Sequence, residues 1–309
     1  MKKPLAAYEL SQTELEIFRQ LTKSPASISE LVNQTRKSQP QVTKGIQRLQ
    51  AMGLAKLERA GMRKIASISD TKHADLLKDI MLVYPHVPWE LLLKYSQVFP
   101  FLESQREEPA IISKTTQWRA LRNLMAHGLV NRNANGVLTI PERFRKLVDF
   151  YHELSRFINS KLAGSLSDAA VIVWSSGSQF IIRIPAEIRI HDRRFKLTGT
   201  SALPKYGIPL ISEVDYYYYS PFAEKLRVED VLLHVVLTDG VTNVTYGLIL
   251  MAKVKIRQDY LLRKADRVGL RSQVDAMLRF LATRASQPSV TLPNWDEFAQ
   301  KANDYGVKV

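Results

Sequence analysis

From the N-terminus the apolar positions fall at helical spacing. Leu15, Phe18 and Leu21 mark one face of a first helix, opened by the capping box Ser11-Gln12-Thr13-Glu14 and stopped before Pro25. Ser27-Ile28-Ser29-Glu30 is a second capping box, and Ile28, Leu31 and Val32 carry a short second helix. Ser38 caps a third helix over residues 40–52, with Pro40 in a first turn where its missing N–H has no intrahelical partner to lose. Val42, Ile46 and Leu49 form the buried stripe of this helix, and Gly53 ends it. Strand-like segments then follow: residues 54–57, a tight turn at Ala60-Gly61, and residues 64–68. A helix over residues 71–82 comes next.

The pattern recurs. Leu49-Gln50-Ala51-Met52-Gly53-Leu54 reappears as Leu124-Met125-Ala126-His127-Gly128-Leu129, an offset of 75 residues, and Lys44 corresponds to Arg119. Ser113 or Thr115 caps the repeated helix. A hairpin around Asn135-Gly136 stands in the place of the first one, and a helix over residues 141–157 follows it. Trp118 lies where a polar residue is expected, and a buried position is the natural reading. Residues 151–162 are amphipathic, suited to linking domains or pairing with a second subunit, and residues 164–168 read as a linker.

After Ser167 the pattern changes. Residues 169–174 read as a buried strand, residues 179–184 and 187–190 alternate as strands, and residues 195–197 are short and extended. A helix at residues 201–206 precedes a strand at 214–219. Residues 229–236 are helical in spacing, residues 246–254 fit a strand or a buried helix, and helices at 259–268 and 272–283 flank Gly269. Tyr216 to Tyr219 alternate between the two faces of their strand, as a base-stacking platform or, more commonly, as cross-strand aromatic partners.

The expected fold class is therefore α+β and multidomain, with domains at residues 1–84, 85–163 and 164–309. Charge sharpens this picture. The chain carries 44 Lys+Arg against 30 Asp+Glu, a net +14, and residues 1–160 hold 24 of the basic and 15 of the acidic groups. Between Arg36 and Lys64 eight basic residues meet one acid, Glu58. That density suits a phosphate-facing surface, since each neutralised phosphate releases counterions. Lys37, Arg48, Arg59, Arg63 and Lys64 are placed to contact phosphates. Gln39, Gln41, Thr43, Lys44 and Gln47 lie on the polar face of the third helix, where side chains reach base edges. In the second copy Lys114, Gln117, Arg119 and Arg122 hold comparable positions, though Glu103, Glu107 and Glu108 make it less basic.

Other chemistry is sparse. There is no cysteine, which excludes disulfides and thiolate sites. The six histidines lack metal-ligand spacing, Ser176-Gly177-Ser178 lacks the Gly-x-Ser-x-Gly frame, and there is no Walker loop or His-Glu-x-x-His. No apolar run approaches the ~20 residues that span a bilayer, and no signal-peptide core follows Lys2 and Lys3, so no membrane partner and a cytoplasmic location are expected.

The run SQPQVTKGIQRLQAMGLAKLERAGMRKIASIS resembles the MarR/ArsR-like winged helix-turn-helix regulators, over about residues 9–82. The resemblance implies that the third helix enters the major groove and that Arg59, Arg63 and Lys64 on the wing touch backbone or minor groove. The second copy then reads as a second winged helix, a DNA reader or a dimerisation module. The run from Phe195 to Ile208, FKLTGTSALPKYGI, resembles a segment of abortive-infection toxin–antitoxin proteins of the AbiE type. In that system the AbiEi antitoxin joins a winged helix to an α+β domain, and the toxin is a nucleotidyltransferase. Gly199 and Thr200 supply a turn whose N–H groups suit phosphates, and Glu213 and Asp215 stand in the place of a magnesium-binding acidic pair, with Glu for the first Asp and no clear third acid. The expected function is a sequence-specific double-stranded-DNA-binding transcription regulator without cofactor. It would act as a homodimer, in the manner of an antitoxin-type autorepressor with a toxin partner. The C-terminal domain would dimerise, bind a partner or sense a ligand. The alternative is a nucleotidyltransferase using Mg2+ and a nucleoside triphosphate, with Gly199, Thr200, Glu213 and Asp215 as its site.

Overall fold

The computed structural model describes residues 9–93, 114–134, 136–221, 225–239, 241–285 and 292–309. The protein is mixed α+β and divides into two compact units, residues 1–159 and 160–309. The expected cap at Ser113 and the acids Glu103, Glu107 and Glu108 lie outside the described residues, as does Asn135.

The first unit opens with α1 (Gln12–Leu21), β1 (Ala26–Ser27), α2 (Ile28–Thr35), α3 (Gln39–Ala51), β2 (Ala55–Ala60), β3 (Arg63–Ile68) and α4 (Lys72–Val83). Both predicted capping boxes form. Glu14 and Glu30 accept from the backbone N–H groups of Ser11 and Ser27 at 2.8 and 2.6 Å. The start of α3 is tied differently: Gln41 Oε1 accepts from both the backbone N–H and the hydroxyl of Ser38, each at 3.0 Å. Leu15, Phe18, Leu31, Val42, Ile46 and Leu49 are all buried, so the apolar stripes of the three helices meet in one core. The sheet runs β1-β3-β2, wholly antiparallel. At two residues, β1 is too short to show a period and was not expected. It pairs Ala26 with Ala66 and so closes the sheet on α2.

The repeat is visible in the backbone. The helix Lys114–Ala126 has the 13 residues of α3, at the same offset of 75. Gly53 and Gly128 adopt φ of 67° and 68°. Leu54 N–H donates to Leu49 at 2.8 Å, and Leu129 N–H donates to Leu124 at 2.9 Å. Both helices thus end in the same glycine-terminated turn, in which a left-handed residue folds the chain back onto the last helical carbonyls. A short hairpin follows, β4 (Asn131–Arg132) with β5 (Leu138–Thr139). Its connection is longer than the expected two-residue turn. Asn133 closes it, accepting from Val137 N–H with its side chain at 2.9 Å.

The helix expected at residues 141–157 starts later and runs further. A 3-10 turn at Glu142–Phe144 precedes the helix Lys146–Gly164, which takes in the expected linker position at Gly164. Its Phe157 ring lies against Gly53, where an added Cβ would stand 2.6 Å from Cζ, and meets the His73 ring at a tilt with centroids 5.0 Å apart. Lys72 pairs with Glu153 at 2.7 Å on the same face. That face is therefore used within the chain.

In the second unit four antiparallel strands, β6 (Val171–Ser176), β7 (Gln179–Pro185), β8 (Phe195–Leu197) and β9 (Val214–Tyr219), lie in the order β6-β7-β9-β8. β6 is an edge strand with Val171 exposed rather than the buried strand expected, and its register slips between Ile172 and Trp174. Residues 187–190 form no strand. β7 ends at Pro185, and Ala186 N–H leaves the ladder to reach Glu213 O at 2.9 Å. One sheet face packs Phe180, Ile182, Ile184, Phe195, Tyr217 and Tyr219 together. Helices Val228–Asp239, Val241–Lys253, Gln258–Arg267, Arg271–Thr283 and Trp295–Asp304 enclose a second core. The ambiguous run 246–254 falls in a helix, where Gly247 lets Met277 and Leu232 approach. The last helix was not expected, although Asn294 caps it and Phe298 and Ala302 mark its buried face. No helix among the described residues is long and apolar enough to cross a membrane.

Candidate nucleic-acid interface

The polar face of α3 carries Gln39, Gln41, Lys44 and Gln47 exposed and Thr43 half-buried. The buried stripe of Val42, Ile46 and Leu49 fixes the rotation of the helix, so the remaining positions must face outward. Beyond it the β2–β3 hairpin projects Arg59, Arg63 and Lys64 into solvent around Gly61, whose φ of 63° makes the turn, and Met62, which is fully exposed.

Arg59 and Lys64 are register partners across the hairpin. Like charges directly opposite each other on a sheet face destabilise it. Among the described residues neither forms an ion pair, and nor does Lys44. A bound polyanion would relieve that repulsion. Arg63 sits close enough to Glu30 to add to the pull that the Ser27 N–H and hydroxyl exert, holding the Glu30 carboxyl below its usual range.

Three predicted contact residues have work inside the chain. Arg48 Nε stands 3.0 Å from Glu14 Oε1, and the guanidinium also donates to the Glu9 carbonyl at 2.9 Å. Glu14 is buried, so Arg48 neutralises a carboxylate that water does not reach. Gln41 is engaged by Ser38, and Lys37 pairs with Glu16 at 3.2 Å. The outward set therefore reduces to Gln39, Thr43, Lys44, Gln47, Arg59, Arg63 and Lys64. Sequence spacing could not separate Arg48 from Lys44: both are basic residues on one helix, and only the placement of α1 assigns Arg48 to Glu14.

In the second copy Arg119 and Arg122 are exposed, while the side chains of Lys114 and Gln117 lie outside the described residues. Trp118 is not buried. It is 60% exposed, with the Arg122 guanidinium carbon 5.5 Å from its ring centroid. Ala120 and Leu124 fill the core position on the opposite side and leave Trp118 outside.

The predicted acidic site in the second unit is only partly assembled. Thr200 and Asp215 line a cleft of about 660 Å3. Gly199 is buried instead, with φ of 56°, where a Cβ would come within 3.4 Å of Tyr216 and Thr238. Glu213 precedes β9, is exposed, and does not line the cleft. Among the described residues no three His, Asp or Glu side chains gather as a metal site. The tyrosine run is packed on both faces. Tyr217 and Tyr219 join the sheet core, Tyr216 is buried, and Tyr218 lies 4.6 Å from the His234 ring. His234 is buried, its Nδ1 lies 2.6 Å from Thr198 Oγ1, and burial depresses its pKa to about 4. No sequence signal marked this buried pair.

A family profile described as HVO_2833_C, C-terminal, matches residues 192–307. The matched stretch holds β8, Gly199–Tyr206, β9 and the helices that follow, with the cleft residues Thr200 and Asp215. None of the curated proteins and none of the solved structures compared matches the chain.

Proposed function

We propose that this chain is a sequence-specific, double-stranded-DNA-binding transcription regulator, with α3 as a recognition helix and the β2–β3 hairpin as the wing of a winged helix-turn-helix module. The observation that carries the reading is the pairing of an outward polar helix face with a hairpin that holds Arg59 opposite Lys64, neither of them in an ion pair among the described residues. Gln47 and Lys44 have the length and donors to read base edges, while Arg59, Arg63 and Lys64 set the register on phosphates. The repeated helix and hairpin at residues 114–139 make a second winged helix, so one chain would cover two neighbouring stretches of duplex. A cytoplasmic homodimer that represses its own operon, as antitoxins with a toxin partner do, is the fuller form of the proposal. The nucleotidyltransferase alternative draws only on Thr200 and Asp215, since Gly199 faces the core and Glu213 stands apart.

The test is a binding titration of the full chain against the DNA upstream of its own gene and a scrambled duplex of equal length, at two salt concentrations. The variant is Lys44→Ala/Gln47→Ala, which leaves the Arg48–Glu14 pair intact. A preference of about a hundredfold or more for the upstream DNA, lost in the variant, is expected. Equal, steeply salt-dependent binding to both duplexes sinks the regulator reading.

A further inference from the structure

The cleft of the second unit is rich in donors and poor in acceptors. Arg189, Lys205, Ser201 and Ser212 line it, opposed by one carboxylate, Asp215. Arg189 and Lys205 are exposed and form no ion pair among the described residues. The two serines are committed as acceptors to the edge of β9. Ser201 Oγ receives the Tyr216 N–H at 3.0 Å, and Ser212 Oγ receives the Val214 N–H at 3.2 Å. Neither hydroxyl donates to an acceptor among the described residues, so each keeps its proton to give. Two cations and two hydroxyl donors therefore border one cleft, and with Asp215 included its lining carries one net positive charge.

Apolar surface borders these donors. Leu210, Val214 and Tyr246 contribute to the wall, and the volume of about 660 Å3 exceeds what a lone oxyanion fills and falls in the range of small-molecule sites. We infer that this cleft is a binding site for a small organic anion, a phosphate monoester or carboxylate with an apolar body. Arg189, Lys205 and the Ser201 and Ser212 hydroxyls would take the anionic head, and the Tyr246 wall would take the apolar body. Charge-assisted hydrogen bonds to the head supply the affinity, with no metal required. The inference is independent of the DNA reading, because it concerns residues 186–246 alone.

The experiment is calorimetric titration of the full chain with phenyl phosphate, benzoate, inorganic phosphate, and ATP with and without Mg2+. Phenyl phosphate or benzoate is expected to bind at least about tenfold more tightly than inorganic phosphate, and whichever binds better identifies the head group. Arg189→Gln/Lys205→Gln should weaken that binding by about tenfold or more, since each charge-assisted contact is worth about one decade. Both side chains are exposed, so an unchanged melting temperature verifies folding; Ser201→Ala is the second variant, with a smaller loss expected. Failure of both organic anions to bind up to about 10 mM, or binding unchanged in the double variant, overturns the inference. So does binding of ATP only, dependent on Mg2+ and lost in Asp215→Asn.

Discussion

Arg59 and Lys64 face each other across the β2–β3 hairpin, a pair of like charges held in register by the backbone ladder. The pair costs folding stability and suits a polyanion. Replacing Lys64 by Thr should raise stability by a few tenths of a kcal/mol, about 0.2–0.5, at low salt. The same change should reduce the slope of log affinity against log salt for duplex DNA by about one. Denaturant titrations and salt-dependent binding of the one variant read both effects. A loss of stability would show that the pair is not repulsive in the fold.

Arg48 behaves oppositely. It lies on the same helix as Lys44, but it neutralises buried Glu14. Arg48→Ala should lower stability by about 2 kcal/mol, the scale of a charged hydrogen bond lost to a buried partner. Lys44→Ala should leave stability within about 0.5 kcal/mol, as exposed substitutions do. Equal midpoints for the two variants in urea would refute the assignment.

Gly53 sits under Phe157 in a backbone conformation that disfavours a side chain. Gly53→Ala combines left-handed strain with overpacking, and a loss on the order of 2–4 kcal/mol is expected. Adding Phe157→Leu should recover part of it, because the clashing ring is removed. Recovery is read by thermal melting of the single and double variants.

Acid should destabilise the protein through its buried histidines. Burial holds His234 at about 4 and also lowers His73, whose ring lies against Phe157. Between the folded value and the unfolded value near 6.5, the unfolded chain binds more protons than the folded one. Stability is therefore full above about pH 6.5 and falls as the pH drops toward 4, with His234 contributing on the order of 3 kcal/mol. His234→Gln should flatten the stability profile over that window. A profile of unchanged steepness would show that His234 is not buried neutral.

Trp118 and Arg122 form an exposed stack on the second repeated helix. Trp118→Ala should change stability by no more than about 0.5 kcal/mol. If the second module contacts duplex, Arg119→Ala/Arg122→Ala should also reduce the salt slope by about two. An unchanged slope would assign DNA contact to the first module alone.

Much of the first unit was legible in the sequence because its signals are local. Capping boxes, a helical stripe and glycine-terminated turns act within a few residues, so Ser11, Ser27, Gly53 and Gly128 declared the element ends and the repeat. The strand-favouring aromatic run Tyr216 to Tyr219 likewise marked β9. Local signals do not say which partner a side chain meets. The approach of α1 took Arg48 out of the surface, the core at Ala120 and Leu124 left Trp118 outside, and pairing at one edge only exposed Val171. In the second unit the sheet and its helices buried Gly199, left Thr200 and Asp215 at the cleft, and brought Thr198 to His234 across 36 positions of sequence. Periodicity reports how residues relate to the axis of their own element. Contacts between distant elements set burial, charge pairing and the shape of a cleft, and those the tertiary structure alone decided.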